Sequence, residues 1–187
     1  MLGGVCYSTV LAYIGAYSQS LSLFWAGSVF FLGFAFTSII SRPVTGRLLD
    51  EFGGSVVVYP ALIFLAAAMV LIGAARSNGM LLSGALVLGL GFATITSACH
   101  ALAVFVSPQQ YVGRATATYF VLLDVGVGIG PYTLGLLVPY FGFSAVYFAA
   151  ASVAAVGILI LLGSDRTYRH LLDIGDEKST FSAAQSD

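Results

Sequence analysis

Residues 61–75 read ALIFLAAAMVLIGAA, a run without a charged or hydrogen-bonding side chain. A strand of a membrane barrel alternates apolar and polar residues over about ten positions. This run does not alternate, so it reads as helix. Extended back to Ser55, it has about the 20 residues that a helix needs to cross some 30 Å of hydrocarbon. The same reading finds five more spans: Leu2–Tyr17, Leu23–Ser41, Met80–Val106, Arg114–Val138 and Phe143–Gly163. The breaks between them have turn chemistry: Ser18-Gln19-Ser20, Arg42-Pro43 through Gly53-Gly54, Arg76 to Gly79, Ser107-Pro108, and Pro139 to Gly142. The expected fold is an all-α membrane protein, a six-transmembrane-helix bundle over residues 1–163. Its spans pair as 1–54, 55–106 and 107–163, followed by a polar tail at 164–187.

Composition supports a lipid environment. Of 187 residues 59% are hydrophobic and only 8% charged, where soluble domains carry roughly 25% charged residues. Four charges lie between Arg42 and Glu51 and eight from Asp165 onward, leaving Arg76, Arg114 and Asp124 for everything else. A soluble fold needs charge along its whole length. The net charge of -1 offers no footprint for nucleic acid. Cys6 and Cys99 stand in apolar stretches and read as small buried hydrophobes. No metal or cofactor constellation is present, and an intramembrane hydrolase would need a nucleophile and base, or paired acids, that the spans do not offer. The N-terminal stretch lacks a basic region and reads as a span rather than a signal peptide. A span beginning at residue 1 leads us to expect that the chain starts inside a longer protein.

Basic residues orient the spans. Arg42, Arg47, Arg114, Arg166, Arg169 and Lys178 fall on one side and Arg76 alone on the other. Both termini are therefore expected in the cytoplasm of a cell-membrane protein.

The six spans differ in polarity. The third and sixth are apolar all round and suited to face lipid. In the first, Thr9, Tyr13 and Tyr17 share a side; in the fourth, Thr96 and His100; in the fifth, Asp124, Gly128 and Tyr132. These three spans are expected to face an aqueous cavity or a polar partner. Asp124 is the one acid within a span. A carboxylate there costs several kcal/mol unless paired or hydrated, which makes it a candidate for loading and releasing protons, or else a group tying helices together. His100 is a second candidate for proton or ligand contact, against the plainer reading of a packing residue. Gly126 and Gly130 form a pair at GxxxG spacing that permits close helix approach. Pro131 removes a backbone donor, so a bend is expected there. Tyr13, Tyr17, Phe92, Phe120 and Tyr132 suggest an aromatic-lined pocket for an amphipathic organic molecule.

The stretch SRPVTGRLLDEFGG, residues 41–54, combines Gly46, Asp50, Gly53 and Gly54 with Arg42 and Arg47. It resembles the signature loop of the major facilitator superfamily, whose pattern is Gly, three residues, Asp, a basic residue, then Gly and further basic residues. Gly46, Asp50 and Gly53 match; Glu51 stands where a basic residue is usual, and Gly54 and Ser55 replace the trailing basic pair. GRATATYFVLLDVGVGIGP (residues 113–131) is similar to the eleventh span of efflux members. The resemblance covers essentially the whole chain as spans seven to twelve, two inverted three-helix repeats forming half of a twelve-span transporter. It implies that spans one and four line a transport cavity, two and five flank the missing half, and three and six support from outside. It also implies proton-coupled efflux of a small organic substrate, with gating contacts from Arg42, Arg47, Asp50 and Arg114. Asp50 would then sit against a helix N-terminus of the other half. The partners expected are the bilayer, the substrate, protons, and an N-terminal half or a second copy. A non-transporting fragment or membrane scaffold is the alternative.

Overall fold

The computed structural model describes residues 1–163, and the side chains of Asp50, Phe52, Gly53, Ser55 and Val56 are outside that description. The expected tail at 164–187 lies outside the described residues. The rest is helical: α1 (Leu2–Ser20), α2 (Phe24–Gly73), α3 (Asn78–Phe105), α4 (Val112–Gly135) and α5 (Val138–Gly163), with a 3-10 turn at Gln109–Tyr111. A straight helix of 50 residues would be about 75 Å long. Yet Ile40 and Phe64 line one cavity, although a straight helix would hold them about 36 Å apart. The helical run is therefore two arms folded back on one another, Phe24–Leu49 and Val57–Gly73.

Among the described residues, four segments are long and apolar enough to cross a membrane: Phe24–Leu49, Asn78–Phe105, Gln109–Gly135 and Val138–Leu162. The expectation was six. The second arm, Val57–Gly73, is apolar but shorter over its described residues. The first arm continues through Arg42, Pro43, Gly46 and Arg47, where turn chemistry predicts a loop. Its helix is braced there by side chains: Ser41 Oγ donates to the Ser38 carbonyl at 3.1 Å, and Thr45 Oγ1 to the Ser41 carbonyl at 2.7 Å. α1 falls short through its hydroxyl and amide side chains, which run from Tyr7 to Ser20.

Turn chemistry accounts for the helix ends. Ser77 accepts from the Met80 amide at 3.3 Å and starts α3. α1 ends one residue before Leu21; the Leu23 amide donates to the Ser18 carbonyl at 2.8 Å and the Ser22 amide to the Gln19 carbonyl at 3.0 Å. That pair of bonds is a Schellman cap, with Ser22 in the left-handed position at φ 59. Gly142, at φ 76, makes the expected break near the start of α5.

The core forms where α3 packs along both arms of α2. Glycines set the spacing. A Cβ at Gly89 would collide with Thr37 and Phe34 of the first arm, and one at Gly91 would lie 2.6 Å from the Leu65 amide of the second. Leu65, Met69, Ile72, Leu81 and Leu88 are fully buried around this seam. The second arm, expected on the outside, has one face in this core and one face open. Ala61, Leu65, Ala68 and Ile72 seal the core, while Ile63, Phe64 and Val70 remain exposed. An all-apolar sequence carries no mark of which side is buried.

Candidate functional site

α4 lies with one face against α1 and touches α3 through Tyr119 and Phe120, and most of its remaining surface is open. Gly126 and Gly130 are its buried residues. A Cβ at Gly126 would strike the Met1 carbonyl, and one at Gly130 would lie 2.5 Å from Ser8 Oγ and 3.0 Å from Val5 Cα. The GxxxG pair therefore packs as its spacing suggests, backbone against backbone. From α1, Gly4 matches it, since a Cβ there would lie 2.5 Å from the Leu123 carbonyl. With this face fixed, helical periodicity turns Asp124, Gly128 and Tyr132 away from α1, and all three are exposed.

His100 of α3 meets α4 one turn from Asp124. Its ring lies 5.4 Å from the ring of Tyr119 and 5.4 Å from that of Phe120. The Tyr119 hydroxyl donates to the Thr96 carbonyl at 2.9 Å and fixes this nest. His100 Nε2 is buried without a hydrogen-bond partner among the described residues. Thr96 does not point its hydroxyl at a ligand; Oγ1 bonds the Phe92 carbonyl at 2.8 Å and the Ala93 carbonyl at 3.1 Å. That is the ordinary fate of threonine inside a helix. His100 thus meets Phe120, which lies one helical turn from Asp124 on α4, with no ion pair between His100 and Asp124 among the described residues.

Tyr13 and Tyr17 lie elsewhere. The Tyr13 hydroxyl donates to the Pro131 carbonyl at 2.7 Å. Tyr17 is 2% exposed; its hydroxyl donates to the Gly73 carbonyl at 3.0 Å and lies 3.2 Å from Ser144 Oγ. Thr9, also fully buried, donates to the Val5 carbonyl at 2.7 Å. The polar stripe of α1 is therefore turned into the protein, correcting its reading as a cavity face. Buried hydroxyls must find acceptors, and these find carbonyls on neighbouring helices or on their own.

The signature stretch is placed in part. Arg42, Gly46 and Arg47 are exposed on the first arm of α2, and nothing lies within 4 Å of a Cβ built at Gly46. Asp50 and Gly53 lie outside the described side chains. Arg114 sits 5.4 Å from the centre of the Tyr111 ring, a cation–π contact. A second aromatic stack was missed in the sequence. Tyr7 of α1 lies over Phe92 of α3 at 4.2 Å and beside Phe34 of α2 at 5.4 Å. Phe92 had been singled out, but no spacing within one helix pairs it with Tyr7.

The least buried candidate spans are the first arm of α2 and α4. Phe31, Leu32, Phe36 and Ile39 are exposed on one, and Val121, Leu122, Val125 and Ile129 on the other. Exposed apolar rows of this kind define a helical membrane protein. The chain matches the family model described as Major Facilitator Superfamily over residues 1–184, and it belongs to that superfamily. It is 28% identical over 165 residues to the uncharacterized MFS-type transporter YhhS of Escherichia coli strain K12. It is likewise 28% identical over 165 residues to YhhS of Salmonella typhimurium strain LT2. Each match covers 85% of this chain and 41% of the relative, so the chain spans about two fifths of the length of these relatives.

Proposed function

We propose that this chain serves membrane transport rather than enzymatic catalysis, as the C-terminal half of a twelve-span carrier built from two inverted three-helix repeats. It moves a small organic molecule by alternating access, outward and coupled to protons. It does so in the cell membrane, with both termini cytoplasmic. The observation that carries the reading is the exposed Asp124–Gly128–Tyr132 stripe beside the His100 nest, on one of the two least buried spans. An intramembrane acid on a helix face that no neighbour covers is a binding or coupling group awaiting its second wall. That wall is an N-terminal six-span half or a second copy of the chain, contacting α4 and the first arm of α2. Arg42, Arg47, Asp50 and Arg114 act at the cytoplasmic ends, making contacts that break when access switches. Gly126, Gly130 and Pro131 let α4 move against α1.

The test is pH-driven flux of ethidium, as an amphipathic probe, in vesicles bearing a full-length protein that contains this half. Flux that depends on the gradient supports the reading. Ethidium and proton movement both absent, with the protein inserted, overturns it and favours a scaffold.

A further inference from the structure

Away from the His100 surface, the two arms of α2 and the facing turns of α3 enclose a cavity of about 220 Å³. Its wall is mostly hydrocarbon, from Ile40, Val44, Leu48, Ala61, Phe64 and Leu90. The hydroxyls that reach it are already engaged. Ser41 bonds the Ser38 carbonyl, while Thr45 bonds the Ser41 carbonyl and, at 3.1 Å, Thr94 Oγ1. The cavity is open on its outer side, since Ile40, Val44, Leu48 and Phe64 are all exposed. From Ile40 to Leu48 it extends about 12 Å, most of the ~15 Å hydrocarbon depth of one leaflet.

A charge stands at one end. Ile40, Val44 and Arg47 follow at i, i+4 and i+7, so Arg47 continues the same edge of the helix one turn beyond Val44. Arg47 is exposed and has no acidic partner among the described residues. Asp50 and Glu51 follow at i+3 and i+4 on the same helix; the Asp50 side chain lies outside the described residues, and no ion pair joins Arg47 to Glu51 among those described. Arg42 is two positions from Ile40 and points from a different side of the helix.

We infer that this groove binds an anionic phospholipid, with one acyl chain between the arms of α2 and the phosphate on Arg47. The apolar wall gives a hydrocarbon chain its contacts and offers a polar solute none. The guanidinium fits a phosphate through paired N–H donors. A zwitterionic lipid fills the groove equally well but brings no net negative charge to Arg47, so the preference for an anionic headgroup rests on that residue. The groove itself owes nothing to the transport reading, but Arg47 is also one of the gating residues proposed above, so the headgroup and the gating contact share it.

The chain has one tryptophan, Trp25, on the same arm and remote from the groove. A Trp25→Phe, Phe64→Trp variant of the full chain places the fluorophore in the groove wall. It is reconstituted in phosphatidylcholine vesicles containing brominated phosphatidylglycerol or brominated phosphatidylcholine. The phosphatidylglycerol quenches at about fivefold lower mole fraction, the preference expected of one basic side chain at an anionic headgroup. Arg47→Gln removes the preference and Arg42→Gln keeps it. Equal quenching by the two lipids, or a preference that survives Arg47→Gln, overturns the proposal. Val44→Trp provides a second reporter position should Phe64→Trp fail to insert, and is judged by the same outcomes.

Discussion

The Tyr13 hydroxyl donates to the Pro131 carbonyl across 2.7 Å, tying the middle of α1 to the last turn of α4. The bond needs room that only glycine leaves, for a Cβ at Gly135 would overlap the Tyr13 hydroxyl. Tyr13→Phe should therefore lower stability by roughly 0.5–1.5 kcal/mol, nearer the low end within a membrane. Gly135→Ala should cost a similar amount by displacing the hydroxyl. The two changes together should cost less than their sum, because each removes the same contact. Thermal unfolding in detergent of the two single variants and the double variant measures the coupling, and strict additivity would show that the bond does not form.

Neighbouring glycines of α4 should respond in opposite ways. At Gly130 the obstacles to a methyl group include Val5 Cα and carbonyl oxygen, both 3.0 Å away, and backbone has nowhere to retreat. Gly130→Ala should destabilise by about 1–3 kcal/mol, the usual cost of overpacking. Nothing lies within 4 Å at Gly128, so Gly128→Ala should stay within about 0.5 kcal/mol of the parent. Equal effects at the two positions would mean that α1 and α4 are not seated on this face.

The same contrast marks what the sequence discloses. Apolar runs and turn residues gave away helices and most of their ends, since lipid leaves the backbone few other choices. The Gly126/Gly130 seam was legible because it repeats at i+4. Other features depend on which face meets which neighbour. The Ala85-Gly89-Ala93 row of α3 follows the same small-residue spacing and could have been found. The inward turn of Tyr17 could not, since its acceptors, Gly73 and Ser144, lie on two other helices. Nor could the burial of Leu65 over Ile63, as both are apolar members of one uniform run. Asp124 and His100 stood out as ionisable residues among apolar ones, yet the meeting of His100 with Phe120, one turn from Asp124, arises only from α3 packing on α4.

A stabilising change is expected at the α1 cap. Ser22 holds φ at 59, a conformation that costs a residue with a Cβ roughly 1 kcal/mol. Glycine adopts it freely and is the usual residue at this position. Ser22→Gly should raise the unfolding temperature of the chain in detergent, or at least leave it unchanged after the entropy lost by a more flexible unfolded state. Ser22→Val should lower it, because a β-branched side chain is poorly tolerated at positive φ. A ranking of Val above Gly would mean that the cap is not formed.

The coupling role proposed for Asp124 separates two quantities that a general defect would lower together. Asn keeps the size and hydrogen-bonding shape of Asp but cannot take up or release a proton. In a full-length protein containing this half, Asp124→Asn should abolish accumulation driven by a pH gradient. Exchange of labelled for unlabelled ethidium at equal pH should continue, because access still alternates when the site is permanently neutral. Insertion should be unaffected, since Asp124 is exposed on α4 and shares no bond with α1. Loss of both exchange and accumulation would make Asp124 a group needed for binding or for packing against the second half. Accumulation at the parent level would remove it from proton coupling and leave His100, with its buried Nε2, as the group to substitute next.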